Sequence, residues 1–223
     1  MTSSEDLAFL DEARAWLRSG GAVDALVYTQ PGPPSTRLYR AARCGYCSAI
    51  RWLLDHGARV EAATYNGSTP LHIAAYKGRY DAAVLLLDAG ADVTARARNS
   101  NTALHQAASN ALSIRMCKLL LSRGASLDAH DSKGRDPEAY ARVLNRSNNA
   151  ALFADVRAAG GWSAYVAAPR NQLLALRREL PTRFRTAPCR ERAQARLFLD
   201  PRIPDDVFKH VLTFWRSARD SEY

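Results

Sequence analysis

No apolar run in the sequence approaches the ~18 residues that a membrane-spanning helix requires. The start, MTSSEDLAFLDEARAWL, carries four acidic residues in its first twelve and no basic segment leading into an apolar one, so a secretory leader is not expected either. A cytoplasmic or nuclear home follows, in which the four cysteines stay reduced and the sequons Asn66-Gly67-Ser68 and Asn145-Arg146-Ser147 carry no glycan. Also missing are a Gly-rich phosphate loop, a recognisable pair of catalytic carboxylates, a Ser-His-Asp arrangement and a zinc signature. The expectation is therefore a non-enzyme with no cofactor and no metal. Lysine is scarce, with four residues beside 27 arginines, a bias that fits genome composition as well as binding chemistry. The net charge of +9 is uneven: residues 36–156 hold 16 Lys+Arg against 10 Asp+Glu, whereas residues 157–196 hold nine arginines against two glutamates.

What the chain does have is an internal repeat. Laying Tyr65 to Ala97 (YNGSTPLHIAAYKGRYDAAVLLLDAGADVTARA) over the following stretch places Thr69 over Thr102, Leu71 over Leu104, His72 over His105 and Ala74-Ala75 over Ala107-Ala108, each 33 residues apart. A 33-residue period opening on Thr-Pro-Leu-His resembles the ankyrin-repeat family. That resemblance implies an all-α solenoid of helix-turn-helix units joined by short hairpin loops, and it implies a protein partner. It covers about two thirds of the chain.

Each motif residue has a mechanical reading. Asn66-Gly67 suits a tight turn, Thr69 caps the coming helix, and Pro70 fits its first turn. Leu71, Ile73, Ala74 and Ala75 make a short inner helix ending at Gly78. Ala82, Ala83, Leu85, Leu86 and Leu87 make an outer helix that must bury against the next unit, because one repeat has too little interior of its own. His72 and His105 read as hydrogen-bonding groups between turns rather than as metal ligands or bases. Residues 36–64 match the same unit, with Arg37 in place of Pro and Arg40 in place of His. Cys44-Gly45-Tyr46-Cys47 has thiol-oxidoreductase spacing, yet its register falls on the inter-helix turn and no second Cys/His pair stands at ligand spacing. The third unit, 98–131, gains a residue between Ser109 and Ser113. The fourth opens at Asp131-Ser132-Lys133-Gly134-Arg135-Asp136-Pro137, with an outer helix expected over 149–159.

Four segments are expected. Residues 1–29 form an N-terminal capping half-repeat, entered through a capping box at Thr2-Ser3-Ser4-Glu5 and continued by Leu7, Leu10, Ala13, Trp16 and Leu17. Residues 30–159 hold about four ankyrin units, the first and last degenerate, with QPGPPS in place of the first hairpin tip. Residues 160–198 form a basic helical linker, including a helix over 171–180. Residues 199–223 form a C-terminal amphipathic helix whose stripe is Val207, Phe208, Val211, Leu212 and Trp215. This appendage either folds back onto the array or docks into a partner's groove. Its sequence is similar in part to an F-box opening and to the end of a SOCS box, which implies recruitment of a ubiquitin-ligase scaffold. It is short for an F-box, and Arg185 stands where the SOCS-type helix wants leucine before Cys189.

The function expected first is a monomeric interaction scaffold. By resemblance to the family's variable surface, the concave face and hairpin tips present Tyr65, Asn66, Ser68, Tyr76, Lys77, Arg98, Asn99, Asn101, Ser109, Asn110, Lys133 and Arg135 to a protein. The alternatives are a ubiquitin-ligase substrate adaptor working through the C-terminal helix, and binding of nucleic acid or an acidic surface through the Arg-rich linker. No nucleic-acid module is recognisable in that linker.

Overall fold

Thr36, Thr69, Thr102 and Asp136 stand at the N-caps of four short helices, and this recurring start sets the architecture. The computed structural model describes residues 3–28, 34–110 and 113–167. Most of the QPGPPS loop, part of the extra turn after Ser109, the linker helix and the stripe Val207, Phe208, Val211, Leu212 and Trp215 lie outside the described residues.

The helices are α1 (Ser4–Arg18), α2 (Arg37–Cys44), α3 (Cys47–Asp55), α4 (Pro70–Lys77), α5 (Tyr80–Asp88), α6 (Ala103–Ser109), α7 (Ile114–Ser122), α8 (Pro137–Val143) and α9 (Ser147–Ala158). They pair as α2–α3, α4–α5, α6–α7 and α8–α9, and the pairs stack into two rows. The inner row runs α2, α4, α6, α8 and the outer row α1, α3, α5, α7, α9. Among the described residues there is no β-strand, only an antiparallel bridge between Val27 and Ser35 that closes the first tip.

Small side chains explain the stacking. Ala41-Ala42, Ala74-Ala75 and Ala107-Ala108 are all fully buried, so neighbouring inner helices approach closely. Leu38, Leu71 and Leu104 fill a column beside them, and Leu53, Leu86, Leu120 and Phe153 fill the matching column of the outer row. In α8 the alanine pair becomes Ala141-Arg142, the arginine exposed and paired with Glu138 at 2.5 Å. Gly45 and Gly78, at φ 83° and 67°, end the inner helices of the first two units in the left-handed region. Asn145, at φ 55°, takes that place in the fourth.

The half-repeat α1 is fastened by side chains that act at long range. Its N-cap is Ser3, whose Oγ accepts from the Asp6 amide at 3.1 Å. Asp6, itself buried, accepts from the Ser48 and Ala49 amides at 3.1 Å each and so caps α3, which has no cap of its own. Tyr46 donates to Glu5 at 2.9 Å, and burial together with that carboxylate pushes its phenol up to about 12.

Two sequence expectations change. Tyr39, three residues after Thr36, holds the histidine's place in α2, so the expected Arg40 is one residue off there, while Arg37 does stand in place of proline. Helix α9 begins at Ser147 rather than 149 and ends at Ala158. Arg157 lies in α9, within the outer helix expected from the sequence, and is bound to Asp136 at 2.8 Å and Glu138 at 2.5 Å. The chain divides after Ala158. In the second unit, residues 162–167 are helical and the Trp162 and Tyr165 rings stack at 5.7 Å.

Candidate functional site: the face of inner helices and hairpin tips

The hairpin tips are built by the same short bonds in each repeat. Thr64 donates to Ser68 O at 3.0 Å, Ala97 to Asn101 O at 2.9 Å and Asp131 to Arg135 O at 2.9 Å. Successive tips then join: the Arg98 amide donates to Asn66 O at 2.8 Å, and the Ser132 amide to Asn99 O at 2.9 Å. Gly67 and Gly134 adopt left-handed conformations at the turn, where the third tip carries Ser100 at φ 59°.

The two histidines tie helix to tip. His72 Nε2 lies 3.0 Å from Asn101 O, a group that only accepts, so this nitrogen carries the proton. Nδ1 then accepts from the Thr69 amide at 3.3 Å and from its hydroxyl at 2.9 Å. His105 repeats the pattern with Arg135 O at 3.0 Å, the Thr102 amide at 3.3 Å and its hydroxyl at 3.0 Å. Burial lowers the pKa of both imidazoles, and an Nδ1 proton would confront an amide donor. Both nitrogens of each ring are committed to the fold, which leaves neither for metal ligation or proton transfer.

Asp131 organises the last tip. Its Oδ1 accepts from the Lys133 and Arg135 amides at 2.8 and 2.9 Å, and Oδ2 accepts two bonds from the Arg135 guanidinium at 2.8 and 2.6 Å. Burial acts to raise the Asp131 pKa, but the bonds from Arg135 and Lys133 outweigh it and hold the carboxyl at about 2.

Between tips and inner helices runs a groove of about 630 Å³. Of the residues expected at the binding face, Asn66, Ser68, Tyr76, Arg98 and Asn99 line it. Tyr65, Lys77 and Lys133 are exposed outside that lining, Tyr65 with 67% of its surface free. Others prove to be structural. Asn101 is 2% exposed: its carbonyl closes the tip by accepting from the Ala97 amide, and its side chain turns inward. Ser109, the last residue of α6, and Asn110, its C-cap, are half-buried: Ser109 Oγ donates to Gln106 O at 2.7 Å, and Asn110 Nδ2 to Tyr76 O at 3.3 Å. Arg135 is spent on Asp131 and lies over the Tyr140 ring at 4.7 Å.

The groove also has residues that the sequence reading did not single out: Tyr39, Ile73 and Gln106 on the helices and Ser132 on the last tip. Ile73 and Gln106 occupy the same register position, four after the cap threonine, so the 33-residue offset carried that signal. Cys44 and Cys47 fall at the end of α2 and the start of α3, as free thiols, and burial raises the Cys47 pKa, the reverse of what an attacking thiolate needs.

Paired short helices in two rows, tied tip to helix, define a helical-repeat array. A family model for ankyrin repeats in three copies matches residues 15–97, and a model for a further ankyrin repeat matches 99–132. Together they take in just over half of the sequence, and the chain belongs to the ankyrin-repeat family. No curated protein matches it. Ankyrin repeats are protein-interaction modules. Helices α8 and α9 lie beyond the matched residues, yet α8 continues the inner row and α9 the outer. No helix among the described residues is long and apolar enough to cross a membrane.

Proposed function

We propose that this chain is a non-enzymatic scaffold that binds a protein partner on the concave face of its ankyrin array. Tyr65, Asn66, Arg98, Asn99 and Lys133 supply contacts from the tips, and Ser68, Tyr76 and Lys77 add to them from the start and end of α4. The observation that carries this reading is the groove between tips and inner helices, with Tyr76 on its wall and Tyr65 exposed beside it. Exposed tyrosine and arginine are the side chains that most often dominate binding energy at protein interfaces. The test is affinity capture with quantitative mass spectrometry, comparing the intact chain with the triple variant Tyr65→Ala, Tyr76→Ala, Arg98→Ala. The expected result is loss of captured partners with an unchanged melting temperature, and undiminished capture would refute the face.

A second reading, the ubiquitin-ligase adaptor, draws support from the apolar stripe at Val207, Phe208, Val211, Leu212 and Trp215 in the sequence. Truncation after Leu199 tests it. A cullin-type scaffold captured by the full chain and lost on truncation supports the adaptor, whereas identical captures reject it.

A further inference from the structure

We infer that the occupant of this groove is an acidic segment of protein bound in extended conformation, an inference that rests on the concave-face reading above. No residue lining the groove is acidic, and Arg98 is among them. Lys77 and Lys133 stand exposed on the same helix and tip faces, and Arg43 holds the place in α2 that Tyr76 holds in α4. None of these four cations enters an ion pair among the described residues. The carboxylates of the last tip and of α8 do not offset them. Asp131 is held by Arg135, Asp136 by Arg157, and Glu138 by Arg142 and Arg157. The outer helices are different, mixing Asp55, Asp81, Asp88 and Asp155 with Arg51, Arg115 and Lys118.

The groove's length and chemistry favour an extended chain. It reaches from Tyr39 on α2 to Gln106 on α6, two steps between neighbouring inner helices. At about 8–10 Å per step that is about 16–20 Å, the span of about five or six extended residues. Asn66, Asn99, Gln106 and Ser132 place amide and hydroxyl groups along it for backbone peptide groups, while Ile73 and Tyr76 offer an apolar wall. The cations come about one per repeat rather than converging on one point, which suits carboxylates spaced along a strand better than a single compact anion. Exposed ion pairs add modest affinity but strong selection and faster encounter, both weakened by salt.

The experiment is selection of random displayed peptides of about twelve residues, long enough to overhang the groove at ~3.3 Å per residue. The bait is the full chain, run beside the double variants Arg98→Glu, Lys133→Glu and, on the outer helices, Arg51→Glu, Lys118→Glu. Selected peptides are then synthesised and titrated by fluorescence anisotropy at low and high salt. The inference expects enrichment of Asp and Glu over the input library. It expects binding about tenfold or more weaker for the tip variant, unchanged for the outer variant, and lower at high salt. Peptides that are neutral or basic, yet are lost on Tyr76→Ala, would overturn the acidic ligand while leaving the concave face standing. Peptides unaffected by both the tip variant and Tyr76→Ala, or lost with the outer variant, would overturn both readings. Failure to enrich any peptide counts against the inference, whereas captured partners lost on the triple variant would still support the face.

Discussion

The inner and outer rows of this array share one packing plan and divide its consequences. Both bury a column of large apolar side chains: Leu38, Leu71 and Leu104 inside, and Leu53, Leu86, Leu120 and Phe153 outside. The inner row also carries the polar ties, since His72 and His105 join each helix to the next repeat's tip. Its exposed positions include Arg43, Tyr76, Lys77 and Arg142. The outer row instead mixes charges on its solvent side, with Arg123 bridging to Asp88 of the preceding repeat at 2.8 Å. Substitutions should therefore separate the rows: outer columns report on stability alone, whereas the inner row's surface reports on recognition.

The largest effect is expected from the outer columns. Phe153→Ala or Leu86→Ala should cost about 3–5 kcal/mol in denaturant unfolding, because neighbours that fit so closely collapse only partly around the cavity. His72→Ala should cost about 2–3 kcal/mol by leaving the Thr69 amide without its partner and Asn101 O with one bond fewer. Asp6→Ala should cost about 1–2 kcal/mol through the uncapped start of α3, measured in the same way.

The histidine ties also make a pH signature. Their folded pKa values lie below the ordinary 6.5, so the stability they contribute is complete above that pH and is lost as pH falls below it. Melting temperature should decline on acidification from neutral pH, and less steeply in the double variant His72→Gln, His105→Gln. A further loss should follow from ~3.9 towards about 2 as Asp131 protonates and releases Arg135. The smallest expected effect is a gain: Ser100→Gly should raise stability by about 1 kcal/mol, because the third tip holds a side-chain-bearing residue at φ 59°.

The sequence showed the repeat period, the cap threonines, the alanine pairs and the glycine stops, because each depends on a few residues close together in the chain. It did not show the long-range ties. Asp6 caps a helix that begins 41 residues later, as the Ser48 and Ala49 amides reveal, and no local pattern announces that. The lining of the groove was legible in part. Asn66, Tyr76, Arg98 and Asn99 follow from register, but Asn101 turns inward because the tip must close on its carbonyl. Arg135 looked available until Asp131 was found beneath it, a pairing that only the folded tip brings about. The fourth unit was readable from Asp136-Pro137, an aspartate doing the capping that threonine does elsewhere.

The most direct test of the division between rows is hydrogen–deuterium exchange on the full chain, with and without a protein it captures. The account predicts partner-induced protection in the tips at 64–68 and 97–101 and in α4 and α6, with α5 and α7 unchanged. Protection confined to α3, α5 and α7 would contradict it.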